Sequence, residues 1–509
     1  MKRKMLFTLL AVVLLSAGFL FAQEPTGGQI HGNFQTDFQY YIEDSIIGAG
    51  VPDEKMGLNS YANFTYTKGN FNACIRYEGY FPPLNGFDQR YEGVGIPYKF
   101  AQYSADNIDI TVGNFYEQFG SGLVLRAYEE KNLGYDNAFE GVKVKVNPLN
   151  GLYIKGLIGK QRAFWDKSDG VVRGVDGEVN FNELIEKYSG SKAIVTLGGS
   201  FVSKYQADLD PIYIYPENVA AYAGRGNITY GKINLYSEYA YKMNDPSADN
   251  GKIYKPGEAL LVNASFSQKG FGAYISAKRV DNMSYRSDRD ASLAKLNINY
   301  IPDITKAHTY SLAAMYPYAT QLNGEVGFQG EVSFKFKKNS TLGGKYGTGL
   351  NINFSRVNSI DRQQINDTVP IGTPATDGYV SDFFTLGDEL FFQDLNIEIN
   401  KKISDKLKGV FIYQNLIYNN DVIHGAGKWH GMIYANVVIV DATYKLKKTI
   451  AIRGEFQGLF TEQQYGDWAS GLFEFTIPHL FFTVMNQYNY GNPYSELRVL
   501  YPYISCGFV

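Results

Sequence analysis

Cysteine is almost missing from this chain: Cys74 and Cys506 are the two in 509 residues. That excludes a disulfide scaffold and a CxxC-type zinc module. Proline is sparse at 17 and tryptophan sparser at three. Neither sign of charge prevails, with 48 Lys and Arg against 51 Asp and Glu. Without Lys2, Arg3 and Lys4, which belong to a leader, 45 basic groups face 51 acidic ones. Such a mildly acidic chain lacks the basic face that nucleic-acid phosphates require. After Gln23 no apolar run reaches about 18 residues, so no transmembrane helix is expected in the mature chain. There is no HExxH, GxSxG or P-loop. His424 and His430 share the stretch IHGAGKWHG but lack the Cys or carboxylate pattern of a zinc site. NDPSADNGKIYKPGE, from Asn244, places its Gly one position late for an EF-hand and ends its loop on Pro256. No catalytic residue, metal or cofactor is assigned, and the chain is not expected to be an enzyme.

What is abundant is glycine (53), tyrosine (41) and phenylalanine (34), with aromatics at 15%. So many aromatics at low net charge argue against disorder. The chain opens MKRKMLFTLLAVVLLSAGFLFAQE, a basic start followed by an apolar stretch from Leu6 to Phe21. Ala22 before Gln23 reads as a cleavage site, which makes residues 1–22 an export signal. No cysteine lies near that site, so a lipoprotein is not expected. No internal linker divides residues 23–509.

The dominant pattern has period two. In EVGFQGEVSFKFK, from Glu325, one face carries Val326, Phe328, Val332, Phe334 and Phe336. The other carries Glu325, Gln329, Glu331, Ser333, Lys335 and Lys337. Side chains two apart share one face of a strand, so this segment has an apolar and a charged face. QDLNIEIN sets Leu395, Ile397 and Ile399 against Asp394, Asn396, Glu398 and Asn400. TIAIRGEFQG sets Ile450, Ile452 and Phe456 against Arg453, Glu455 and Gln457, and EGVKVKV sets three valines against Lys143 and Lys145. Helical periodicity is confined to NELIEKYSG, near Asn182.

Connectors alternate in length. Short turns such as TKGN, NPLNG, YGK and QKG alternate with longer polar stretches. The latter are roughly 43–53, 81–95, 116–137, 204–217, 244–257 and 358–387. This predicts an all-β fold, a transmembrane antiparallel β-barrel of about 24 strands (22–24), with both termini on the short-turn, periplasmic side. In lipid an unpaired backbone N–H or C=O costs several kcal/mol, so a spanning sheet must close on itself. Apolar side chains then face lipid and polar ones the lumen, while Tyr and Phe gather at the interfaces. Strand one begins near Gly28, so no N-terminal plug domain is expected, and a TonB-dependent transporter is disfavoured. The last strand, ELRVLYPYISCGFV, resembles the terminal signal read by barrel-assembly machinery.

GNFYEQFGSGLVLRAYEE, within Thr111–Val144, is the least generic stretch. Gly113, Gly120 and Gly122 permit a bend or a close backbone approach. This stretch, the full-length barrel pattern and the Ala–Gln cleavage resemble a largely uncharacterised porin-like group of outer-membrane proteins of Bacteroidota. The resemblance implies an outer-membrane address and a role in permeation, or in envelope secretion and gliding systems. Arg126, Glu129, Glu130 and Lys131 are the candidate constriction residues, since charged side chains on an inward loop tune a pore. Lys143, Lys145, Glu331, Lys335, Glu398, Arg453 and Glu455 are expected to face the lumen, and their mixed signs argue against strong ion selectivity. The favoured function is a channel for passive diffusion of small solutes. The alternative is a non-enzymatic scaffold or accessory of a protein-export machine. Expected partners are outer-membrane lipid and the assembly machinery, with no nucleic acid. Cys74 and Cys506 sit on strands separated by two others, roughly 14 Å apart at sheet spacing. A disulfide needs Cα atoms within about 7 Å, so both thiols are expected to be unpaired.

Overall fold

In a computed structural model, residues 27–291, 295–425 and 431–508 are described; the export signal and His430 lie outside them. Twenty-two strands form one antiparallel sheet, each paired with its neighbours in sequence. The first strand, Gln29–Tyr40, pairs along its whole length with Met56–Lys68. The last, Leu500–Phe508, pairs with Leu480–Tyr488. Short turns join strands at one rim, as at Lys68–Phe71 and Leu149–Leu152, with Gly69 and Gly151 at positive φ. Two-residue hairpin turns need that conformation, and glycine adopts it without strain. Long connections occupy the other rim. NELIEKYSG does turn helical, as Phe181–Leu184 and then Glu186–Tyr188.

The count of 22 is the lower bound of the expected range. Between Asp281 and Gly324, where no long connector was expected, the described residues form no wall strand. That stretch leaves the wall and folds inward, hydrogen-bonding to wall residues from Gln161 to Gln487.

The two faces of the wall are the reverse of those of a water-soluble sheet. On the strand Gly324–Phe336, Phe328, Val332 and Phe334 are each 40% or more exposed, while Glu325 is fully buried. Asn353, Ser355, Asp394, Asn396, Gln414 and Gln457 are likewise buried on the inner face. An apolar exterior around a polar interior is stable in lipid and would aggregate in water. Aromatics gather at the short-turn rim, with Phe271 tilted against Phe266 and edge-on to Phe334. Tyr222, Tyr239, Tyr241 and Tyr434 stand exposed towards the long-loop rim. These are the two interfacial girdles of a membrane barrel.

The wall curls around two inward segments, residues 116–137 and, among the described residues, 282–291 with 295–323. Among the described residues the first and last strands make no pairing with each other. Cys74 and Cys506 are free. Cys74 lies on the inner-face parity of Arg76, and Cys506 pairs in register with the outward Phe482, so the thiols occupy opposite faces.

Candidate functional site: a lumen crossed by two inward segments

The first inward segment leaves the strand Ile108–Phe115 and buries Phe119, Leu123, Val124 and Leu125 completely. They pack against wall residues Phe139, Val172, Val202 and Ala221 in one cluster. Gly120, at φ +52, lies where a Cβ would come within 2.5 Å of the Glu238 carboxylate. The Ser121 N–H donates to Glu238 Oε2 at 2.7 Å, tying the segment to the strand Ile233–Lys242 across the lumen. Glu117 gathers Lys145 at 2.9 Å, Lys155 at 3.1 Å and Lys143 at 3.4 Å. Lys143 and Lys145 thus point inward and share one carboxylate with Lys155.

The structure does not bring the four constriction candidates together as one ring. Arg126 sits against two rings, its Cζ 4.7 Å from Tyr128 and 4.0 Å from Tyr300. Lys131 stands 4.9 Å over Tyr61, and Glu130 accepts from the Asn132 N–H. Glu129 alone joins the principal charge cluster, where Arg76 reaches it at 2.9 Å and Asp136 at 2.8 Å. Arg162 closes that cluster, bound to Glu78 at 2.6 Å and Asp136 at 2.7 Å. Burial raises the Glu129 carboxyl above its ordinary value, against the pull of Arg76. Sequence reading missed Arg76, Glu78 and Arg162 because their partners lie on elements far apart in sequence. The signal available was Arg76 and Glu78 at i, i+2 in RYEGY, a charged row on one face. The carboxylates of Glu78, Glu129 and Asp136 lie within 4.8 Å of one another, and each is already paired with Arg76, Arg162 or both.

The second inward segment is held at its start by fully buried lysines. Lys204 donates to Asp245 Oδ2 at 2.6 Å and to the Arg286 carbonyl at 2.8 Å. Lys242 donates to the Ser284 carbonyl at 2.8 Å. Asp249 pairs with Arg286 at 3.2 Å, so Asp245 and Asp249 of the stretch from Asn244 are both spent on protein cations. In the outer loop Arg90 and Lys295 hold the Asp88 carboxyl well below the usual carboxylate range.

Beyond Ile301 the segment runs as a strap along the far wall. Lys306 Nζ reaches Asn396 at 2.8 Å and Glu398 at 3.5 Å. His308 Nε2 lies 2.8 Å from Asp394 and 3.1 Å from Gln414. The Tyr310 hydroxyl donates to Asp441 at 3.0 Å, and Gln457 accepts from the Leu312 N–H at 2.9 Å. Arg453 bonds Asp441 at 3.0 Å and pairs with Glu455. Glu331 accepts from Asn351 at 2.7 Å, and Lys335 stays exposed in a cavity of about 530 Å³ shared with Lys306, Asn351 and Glu398. Most of these charges lie beside their opposites, so the lumen presents no uninterrupted field of one sign.

Outward apolar rows, an inward polar face and two segments narrowing the interior define a membrane-spanning antiparallel β-barrel. The chain belongs to a family of unknown function, DUF6029, whose pattern spans residues 1–509. No curated protein matches it. Among solved structures it is similar to OccK3 (OpdO) of Pseudomonas aeruginosa at 9% identity and a TM-score of 0.34, over 94% of each chain. OpdK of the same organism, solved with vanillate, gives 10% identity and a TM-score of 0.35, covering 94% of this chain and 97% of that one. The siderophore receptor PirA, also from P. aeruginosa, gives 11% and 0.42, covering 96% and 81%.

Proposed function

We propose that this protein is a non-enzymatic outer-membrane channel for passive diffusion of small solutes, narrowed by its two inward segments. The observation that carries the reading is the reversal of faces. Phe328, Val332 and Phe334 are exposed while Glu325 and Gln329 of the same strand are buried towards a polar interior. A wall of that kind requires lipid outside and water within. Export by the leader, assembly through the strand ending at Phe508, and periplasmic termini belong to the same reading. So does an origin in Bacteroidota, which rests on GNFYEQFGSGLVLRAYEE. Single-channel recording in planar bilayers tests it, with steady nanosiemens-scale openings expected.

A second reading, an envelope scaffold or export accessory, draws on the tight burial of Phe119–Leu125. It requires a sealed lumen. A folded barrel that never conducts, and that crosslinks to envelope proteins, would favour it over the channel.

A further inference from the structure

At the long-loop rim, two connections and both inward segments enclose a cavity of about 820 Å³. Arg162 and Asp136 of the principal charge cluster line its buried end, and Lys295 bridges to Asp88 at 2.7 Å along one side. Five rings form its walls: Phe87, Tyr91, Tyr128, Tyr135 and Phe164. The walls are held from behind. Arg162 Nε donates to the Phe164 carbonyl at 2.7 Å, and Trp165 Nε1 donates to the Tyr91 carbonyl at 2.8 Å. Gly134, at φ +62, lies where a Cβ would come within 2.7 Å of Phe87, so the first inward segment closes directly on that ring. A concave, aromatic-walled space of this size with a few polar groups is the ordinary form of a site for a small organic ligand.

The polar groups decide the charge of that ligand. Every cation in the lining is already spent, Arg90 and Lys295 on Asp88, and Arg162 on Asp136 and Glu78. The carboxylates are not. Among the described residues no cation pairs with Glu130, Asp288 or Asp290, which line the same cavity. Glu130 accepts from the Asn132 N–H, and Asp288 from Gln206 and the Asp290 N–H. The rings add to the same sign, because an aromatic face is the negative pole of its quadrupole. Three of them take a protein cation: Arg90 stands 4.3 Å over Phe164, Arg162 5.8 Å over Tyr91 and Arg126 4.7 Å over Tyr128. Phe87 and Tyr135 carry none among the described residues. An anion would meet unpaired carboxylates and negative ring faces, and a neutral solute would gain from the rings alone.

We infer that this cavity is a binding site for an organic cation with an apolar body, an amine- or guanidinium-bearing solute of dipeptide size, captured at the mouth of the barrel. The charge imbalance is local to the mouth, and the site does not require an open lumen. The probe is phenylalanyl-lysinamide, titrated calorimetrically into the folded full-length barrel in detergent, with empty micelles as the blank. It should bind saturably, and about tenfold or more tighter than its uncharged counterpart acetyl-phenylalanyl-norleucinamide. Glu130→Gln with Asp290→Asn, and separately Tyr135→Leu, should each weaken binding about threefold or more. Asp405→Asn, on a turn at the opposite rim, should leave it unchanged. Glu130 and Asp290 are exposed, so their double variant tests the site whether or not Tyr135→Leu folds. Equal affinity for the uncharged counterpart would overturn the ligand class. Absence of saturable binding, or binding indifferent to the Glu130 and Asp290 substitutions, would overturn the site. Binding by a barrel that never conducts keeps the site and removes the channel, and conduction without binding does the reverse.

Discussion

At the residue scale, the most consequential side chains are buried charges that fasten the inward segments. Lys204 and Asp245 are both buried, and their 2.6 Å bond lies under the second segment. Lys204→Ala should cost about 3–5 kcal/mol, because Asp245 would lose its close partner in a dry site and keep only Arg289, at 3.7 Å. Lys204→Met with Asp245→Leu should recover much of that loss, since the expensive state is a charge without its partner. Urea unfolding of the refolded barrel checks both. If the double variant is no better than the single one, the pairing is not what matters. Asp88 makes a prediction with a sign. Its carboxyl is held below its unfolded value, so its stabilising tie to Lys295 is complete above the ordinary carboxylate range. The tie is lost only as pH falls through the depressed value. Conductance should therefore stay steady from pH 7 to about pH 4.5 where Asp88 is concerned, and an Asp88→Asn variant, which lacks the ion pair at every pH, should show its altered conductance already at pH 7. A wild-type transition at an ordinary carboxylate pKa, absent in Asp88→Asn, would contradict this.

At the element scale, strands and strap follow one backbone rule with different outcomes. Alternation made the wall legible in sequence: Glu325 to Lys337 has the predicted faces because successive side chains leave a strand on opposite sides. Val332→Arg, near the middle of that strand and facing lipid, should cost about 2–4 kcal/mol. Arginine at Ser333, one residue on and facing the lumen, should cost under about 1 kcal/mol. Unfolding from lipid vesicles separates them, and equal costs would deny the assignment of faces. The second inward segment was not legible for the same physical reason. Lys306, His308 and Tyr310 reach the wall from alternate positions, the spacing that side chains on one face of a wall strand also show. Only tertiary placement distinguishes a strand bonded edge to edge from a strap bonded through side chains. Because those side chains are its fastening along the far wall, replacing Lys306 and His308 by Ala and Tyr310 by Phe should loosen it. Conductance should rise about twofold with more frequent transitions between levels. Unaltered current from a folded triple variant would show that the strap does not limit flow.

At the scale of the whole molecule, a sheet of 22 strands wraps two inward segments and presents apolar residues to its surroundings. The class of fold could be read from period and connector length. The charge cluster could not, because Arg76, Glu78, Asp136 and Arg162 come from elements far apart in sequence and meet only when the wall curls. The constriction candidates were legible as a segment rather than as a ring. Residues 116–137 do fold inward, yet Arg126 turns to Tyr128 and Tyr300 while Glu129 turns to Arg76. The most direct measurement is single-channel conductance of the folded, full-length protein in a planar bilayer. Steady openings of the order of a nanosiemens, with weak preference between cations and anions, are the expected result for a lumen of paired charges. A verified folded barrel that stays silent would contradict the channel and turn attention to partners in the native envelope.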